Sequence, residues 1–215
     1  KSFKNKNYGP LVIPIKIAIL NNNYQIEKMI ILKDKEQTFI FKNLTKSGDI
    51  PILSYFRQFS SPVIWETDLE VDEMFYIATK ETDMFSRWNI FQSMYKKAII
   101  SRAYNKSDHL IEELLVDSIN KIIKNYRSES FDFIASILTL PPIKEVELSQ
   151  DPIDPIAIYN SFRHLMAFIA NKLSSSLVNL LEISKENLYT KWPEGASNRR
   201  LTNAIWGLLV FSNCI

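Results

Sequence analysis

From Leu11 to Leu20 the apolar residues include Ile13, Ile15, Ile17 and Ile19 on one side of a two-residue period, with Lys16 on the other. That alternation predicts a mostly buried strand. Asn21-Asn22-Asn23 tolerates left-handed backbone, and Ile26 to Leu32 is a second β-rich run, so the pair reads as a hairpin with Pro14 at an edge or bulge. Gln37 to Phe41 (QTFIF) and Pro62 to Trp65 (PVIW) are two further short strand candidates. Four short strands with polar turns predict part of a β-sandwich.

After Trp65 the period lengthens. Thr67-Asp-Leu-Glu70 has the form of a capping box, which satisfies backbone N–H groups at a helix start. Met84, Trp88, Phe91, Tyr95 and Ile99 recur at steps of three or four, as do Ile111, Leu115, Ile119, Ile122 and Tyr126. A shorter helix is predicted around Phe131, Ile134 and Leu138, and Pro141-Pro142 stops it. Asp154-Pro155 places an N-cap before a proline at the first helical position. The stripe Ile158, Phe162, Leu165, Ile169, Leu173, Leu177 and Leu180 then predicts one helix to about residue 183, roughly 40 Å long. Tyr189 to Ser197, with Pro193 and Gly195, reads as a loop before a last helix bearing Leu201, Ile205 and Leu208. The chain is therefore expected to be mainly α with a small β part: a partial Ig-like sandwich, then antiparallel stacked helices as in bundles and superhelical solenoids. No repeat of fixed period is visible.

Composition narrows the function classes. At 215 residues and 46% hydrophobic, the chain can bury a substantial core. The 26 basic and 24 acidic residues nearly cancel, so no basic field points to nucleic acid. Four glycines cannot assemble a phosphate-binding loop of the G-x-G-x-x-G or G-x-x-x-x-G-K type. No apolar run reaches a membrane span, and no signal-peptide pattern opens the chain, so a soluble protein without membrane partners is expected. The single Cys214 favours a reducing compartment, and a cytoplasmic location is expected. The start at Lys1 and the apolar run Gly207 to Phe211 near the other end suggest a piece of a longer polypeptide.

Few residues invite chemistry. His164 sits beside Leu165 on the apolar stripe with no sequence-near partner, and is read as packed. His109 follows Ser107-Asp108 at a helix start and is read as a solvated surface residue. Glu112, Glu113 and Asp117, and the basic pairs Lys96-Lys97 and Arg199-Arg200, are read as solvated helix faces. Tyr55, Phe56, Phe59, Trp65 and Trp88 are read as core at the strand-to-helix transition. Ser54, Ser60 and Ser61 have no nearby histidine to activate them. No catalytic, cofactor-binding or metal-ligating residue is assigned.

Two stretches carry more specific information: Pro51 to Glu66 (PILSYFRQFSSPVIWE) and Asp83 to Ser93 (DMFSRWNIFQS). With EQTFIF (36–41), FSSPV (59–63), ILTLP (137–141), DPIA (154–157) and NRRLT (198–202), they resemble, in order, the later part of the bacterial-type alanyl aminopeptidases of the M1 zinc family. The resemblance implies the later strands of a β-sandwich domain at 1–66 and the early part of the C-terminal α-helical domain at 67–215. It also implies a parent enzyme that removes N-terminal amino acids from peptides with a zinc-bound water. The helical part would enclose the active-site cavity, and the catalytic domain of the same polypeptide would be its partner. The zinc motif of that family, His-Glu-x-x-His, is missing: the two histidines, His109 and His164, do not stand one helical turn apart. This chain alone is thus expected to bind no zinc and to be inactive. The rival expectation is a free-standing helical scaffold for protein–protein interaction.

Overall fold

A computed structural model describes residues 9–21, 24–42, 44, 51–104, 109–186, 188–191 and 193–212. Cys214, the Asn22-Asn23 part of the predicted turn, and Ser107-Asp108 lie outside the described residues. The chain divides into two compact units. The first takes in residues up to Asp68 together with Glu81–Ser86; the second takes in Leu69–Lys80 and the residues from Arg87 on.

In the first unit β1 (Ile13–Asn21) pairs antiparallel with β2 (Tyr24–Leu32), and β3 (Ile52–Ser54) pairs antiparallel with the other edge of β1. The order is β2-β1-β3. Where β1 is flanked on both sides, Ala18, Ile19 and Leu20 are buried, as is Ile17 just before them. Pro14 therefore belongs to the central strand, not to an edge or bulge as the sequence suggested. It is tolerated because β3 reaches only Ala18 to Leu20. Beyond β3 the Pro14 carbonyl accepts from Ser61 Oγ (2.5 Å) and Lys16 N–H donates to Ser60 Oγ (2.9 Å). Residues 14 and 16 point the same way along a strand, so the donor that proline lacks would have faced this serine pair and not β2.

Two predicted strands are not strands: Gln37–Phe41 and Pro62–Trp65 are irregular. Ile40 and Ile64 are exposed. β propensity measures fit to a half-buried pleated surface, and these segments have no ladder partner among the described residues.

The second unit is helical, built from α1 (Val71–Lys80), most of α2 (Met84–Ala103), α3 (His109–Lys124), α4 (Phe131–Leu138), α5 (Ile143–Glu147), α6 (Pro155–Lys172), α7 (Ser174–Ser184) and α8 (Ala196–Leu209). Helix α1 starts later than the Thr67–Glu70 box would place it: Glu73 Oε2 accepts from Glu70 N–H (2.9 Å), a side chain in the first turn reaching back to the cap. Asp83 caps α2 through Ser86 N–H (2.8 Å), Ser130 caps α4 through Phe133 N–H (3.1 Å), and Asp154 caps α6 through Ala157 N–H (3.0 Å). Leu165 and Ile169 of α6, Leu177 and Leu180 of α7, and Leu201, Ile205 and Leu208 of α8 are buried with the stripe of α3. Tyr95, fully buried on α2, donates its hydroxyl to the Ile137 carbonyl (2.5 Å), and burial pushes its phenol above the usual range.

The predicted single helix from Pro155 to about 183 is two helices. Leu173 (φ −105°, ψ 8°) leaves helical geometry between α6 and α7. Three serines follow, residues whose hydroxyls compete for backbone partners. The apolar spacing runs on across the break, so α7 still buries Leu177, Leu180 and Leu181, packed against α3, α6 and α8. No helix among the described residues is long and apolar enough to cross a membrane.

Candidate functional site

The most unusual geometry lies in the 51–66 segment, within the first unit. Phe56, Gln58 and Phe59 all have left-handed backbone (φ 53°, 55° and 53°). Three non-glycine residues in that region within four positions mark a segment that its surroundings hold in place. The holding group is Arg57, only 3% exposed. Its Nη1 is bonded to Glu27, and its Nη2 donates to Glu81 Oε1 (3.1 Å) and Thr82 Oγ1 (3.0 Å). Glu81 Oε1 also accepts the N–H groups of Thr82 (2.6 Å) and Asp83 (3.0 Å), and Asp83 accepts Gln58 N–H (3.2 Å).

Glu27 is drawn below the usual carboxylate range, first by its bond to Lys16 and then by Arg57. Around this core Trp65 meets Tyr55 (5.8 Å) and Phe56 (5.1 Å), and Phe59 meets Phe85 edge-on (5.3 Å). Ser60 and Ser61 tie to β1. This site anchors backbone: its charges are opposed and hydrogen-bonded to each other, with no nucleophile and base in register.

In the second unit the residues singled out from sequence take structural posts. Glu112 is buried and clamped by Arg102 through Nε–Oε1 and Nη2–Oε2 bonds of 2.8 Å each, so it is not a solvated carboxylate. Its neighbour Glu113 turns to solvent and pairs with Lys172 (3.0 Å), while Asp117 is exposed. His109 Nδ1 stands 3.9 Å from Glu112 Oε2 and is largely exposed. His164 is exposed and stacks on Phe168 (centroids 6.3 Å apart). Loss of hydration, then the charge of Arg102, lowers its pKa. The fold thus gathers both histidines, Arg102 and Glu112 into one electrostatic neighbourhood, which their sequence positions do not reveal.

Arg199 is likewise not a solvated surface group. Its Nη1 donates to the carbonyls of Leu188 (3.0 Å) and Thr190 (3.1 Å), latching the loop before α8, whereas Arg200 meets Asp132 at 3.4 Å. Lys97 caps the Leu69 carbonyl (3.0 Å), and Lys96 pairs with Glu145 (3.1 Å).

Sequence reasoning missed the anchors Arg57–Glu81 and Arg87–Glu129. Arg87, 7% exposed, grips Glu129 at 3.0 and 2.7 Å, donates to the Ala78 carbonyl and lies over the Phe133 ring. The available signal was an arginine inside an aromatic run: FRQF and FSRW. Hollows open among the described residues of this unit. One of about 220 Å³ is lined by Lys80, Arg87, Lys121 and Glu129; one of about 450 Å³ lies among α4, α6 and α8. No group of three or more His, Cys, Asp or Glu among the described residues is arranged to hold a metal. The described residues do not fit a zinc ion.

Known proteins match along the whole arrangement. Residues 1–68 match a domain of unknown function with an Ig-like fold (DUF3458), and residues 71–214 match its companion with ARM repeats (DUF3458_C). Aminopeptidase N of Caulobacter vibrioides is 30% identical over 157 residues, covering 72% of this chain and 18% of that protein. Aminopeptidase N of Escherichia coli is 25% identical, covering 94% of this chain and 24% of that protein. In the crystal structure of Legionella pneumophila aminopeptidase A in complex with aspartic acid, the match has a TM-score of 0.80 at 21% identity. It covers 93% of this chain and 24% of that one, and shows a common fold. The chain spans a quarter or less of the length of these relatives.

Proposed function

The chain belongs to the DUF3458 family, whose Ig-like and ARM-repeat domains are parts of M1 aminopeptidase N, and we propose that it is the non-catalytic portion of a zinc aminopeptidase that removes N-terminal residues from peptides. In this reading the catalytic domain of the same polypeptide holds the metal, and the helical part encloses the active-site cavity. The observation that carries the reading is the collinear match over both units to proteins named aminopeptidase N. The distribution of charge supports it. Arg57, Arg87 and Arg102 are each paired with a carboxylate inside their own unit, which suits rigid walls. A rigid enclosure excludes water and strengthens electrostatics in the site it covers. The proposed compartment is the cytoplasm, on the single cysteine of the sequence.

The test is direct. Purified alone, the 215-residue chain should release no chromophore from alanyl p-nitroanilide and carry no stoichiometric zinc by elemental analysis. The complete polypeptide encoded by its gene should release the chromophore and carry the zinc. Turnover with bound zinc by the chain alone overturns the proposal.

A further inference from the structure

The hollow of about 220 Å³ is unusual for the charge it gathers. Lys80 comes from the last turn of α1 and Lys121 from the last turn of α3, while Arg87 belongs to α2 and Asn125 follows α3. A cation near a helix C-terminus complements the backbone dipole, and Lys121 also lies over the Phe75 ring at 4.3 Å. These roles account for each lysine singly. They do not account for three cationic side chains lining one hollow with a single carboxylate, Glu129. That carboxylate is already matched by Arg87, at 2.7 and 3.0 Å. No carboxylate among the described residues pairs with Lys80 or Lys121. The lining therefore keeps the positive charge of both lysines uncompensated at neutral pH.

Hydrogen-bond donors stand with those charges. Arg87 spends one N–H on the Ala78 carbonyl (3.2 Å) and one on each oxygen of Glu129, and a guanidinium has N–H groups to spare beyond these. Its plane is held by those bonds and by the Phe133 ring at 4.4 Å, so binding through the spare donors orders little that is not already fixed. Asn125 adds a side-chain amide to the same lining. The hollow exceeds many times over the roughly 10–15 Å³ that one water needs, so a small polyatomic ion has room. A concave wall of one sign of charge concentrates the counter-ion, and a dianion gains from both ammonium groups at once. We propose that the hollow lined by Lys80, Arg87, Lys121 and Asn125 binds a small dianionic oxyanion of the phosphate type, held by the two lysines, the spare guanidinium N–H groups and the Asn125 amide. The inference uses nothing of the proposed peptidase activity and stands apart from it.

The experiment titrates the complete polypeptide with inorganic phosphate by calorimetry, at an ionic strength held constant with chloride. Binding should saturate. Lys80→Met combined with Lys121→Met should weaken it at least about tenfold, because each change replaces an ammonium by an apolar chain of similar reach. Both lysines are exposed, so the double variant should melt with the parent and a loss of binding is not a loss of fold. Lys121→Arg keeps the charge and should keep the affinity close to that of the parent. Glycerol phosphate makes a second arm: binding of both probes assigns the hollow to a phosphoryl group that a larger molecule can carry, and binding of inorganic phosphate alone assigns it to the free ion. Affinity should rise between about pH 5 and about pH 8 as the second phosphate proton leaves, with a pKa of about 6 in an ester. Heat no greater than that of the chloride control, equal affinity in the parent and the double lysine variant, or equal affinity at the two ends of that pH range each overturns the proposal.

Discussion

Replacing Arg57 by methionine should be the most damaging single charge removal in the first unit. The substitution keeps an apolar stem of similar reach but strands Glu81, whose side chain is 0% exposed. Removing one partner of a buried ion pair costs about 3–5 kcal/mol, chiefly through the unpaired charge left behind. The lower end applies here, about 3 kcal/mol, because Glu81 Oε1 keeps its bonds from Thr82 and Asp83 N–H. The contact to Glu27 adds little, since that carboxylate is half exposed. The natural control is Lys172→Met, which breaks a pair exposed by about half on both sides and should cost about 0–1 kcal/mol. With a urea slope of about 1–3 kcal/mol/M, the Arg57 variant should unfold roughly 1–3 M earlier. Paired urea titrations followed by circular dichroism and tryptophan fluorescence give both numbers. Arg57→Met combined with Glu81→Gln should be less damaged than the sum of the two single variants, because the stranded charge is gone. A cost below about 1 kcal/mol for Arg57→Met, or simple additivity of the two substitutions, would show that Glu81 is not left as a buried unpaired charge.

Gln58→Gly should be neutral or stabilising by up to about 1 kcal/mol, because relief of the left-handed backbone (φ 55°, ψ 28°) competes with the added freedom of the unfolded chain; a loss above about 1 kcal/mol in a urea titration would refute the strain. His164 has a lowered pKa in the folded chain, so on acidification through about 6.5 the unfolded state binds its proton first and stability falls. His164→Gln should flatten that part of the stability–pH curve relative to the parent chain, and superimposable curves would show that the ring is not held neutral by its neighbours.

The helices were legible because 3.6-residue spacing and end chemistry agree. Asp154-Pro155 opens α6 and Pro141-Pro142 follows α4, each through a local backbone rule. The break at Leu173 was not legible, since Leu173, Leu177 and Leu180 keep helical spacing across it and only the serine run hints at the stop. The strand readings of QTFIF and PVIW failed for a related reason. A β-rich run becomes a strand only beside a partner edge, and the third strand is instead the three-residue Ile52–Ser54. The anchors were hidden because their partners are remote: Arg57 and Glu81 lie 24 positions apart, Arg87 and Glu129 lie 42. Nothing local marks such pairs except an arginine among aromatics.

The allocation of Glu81–Ser86 to the first unit has a practical consequence for anyone cutting or recombining these modules. A cassette ending near residue 66 or 68 would carry Arg57 away from Glu81, and a cassette beginning there would inherit the acid without its base. Chimeras between relatives should therefore transplant Arg57 and Glu81 together and keep Arg87 with Glu129, if the grafts are to express in soluble form.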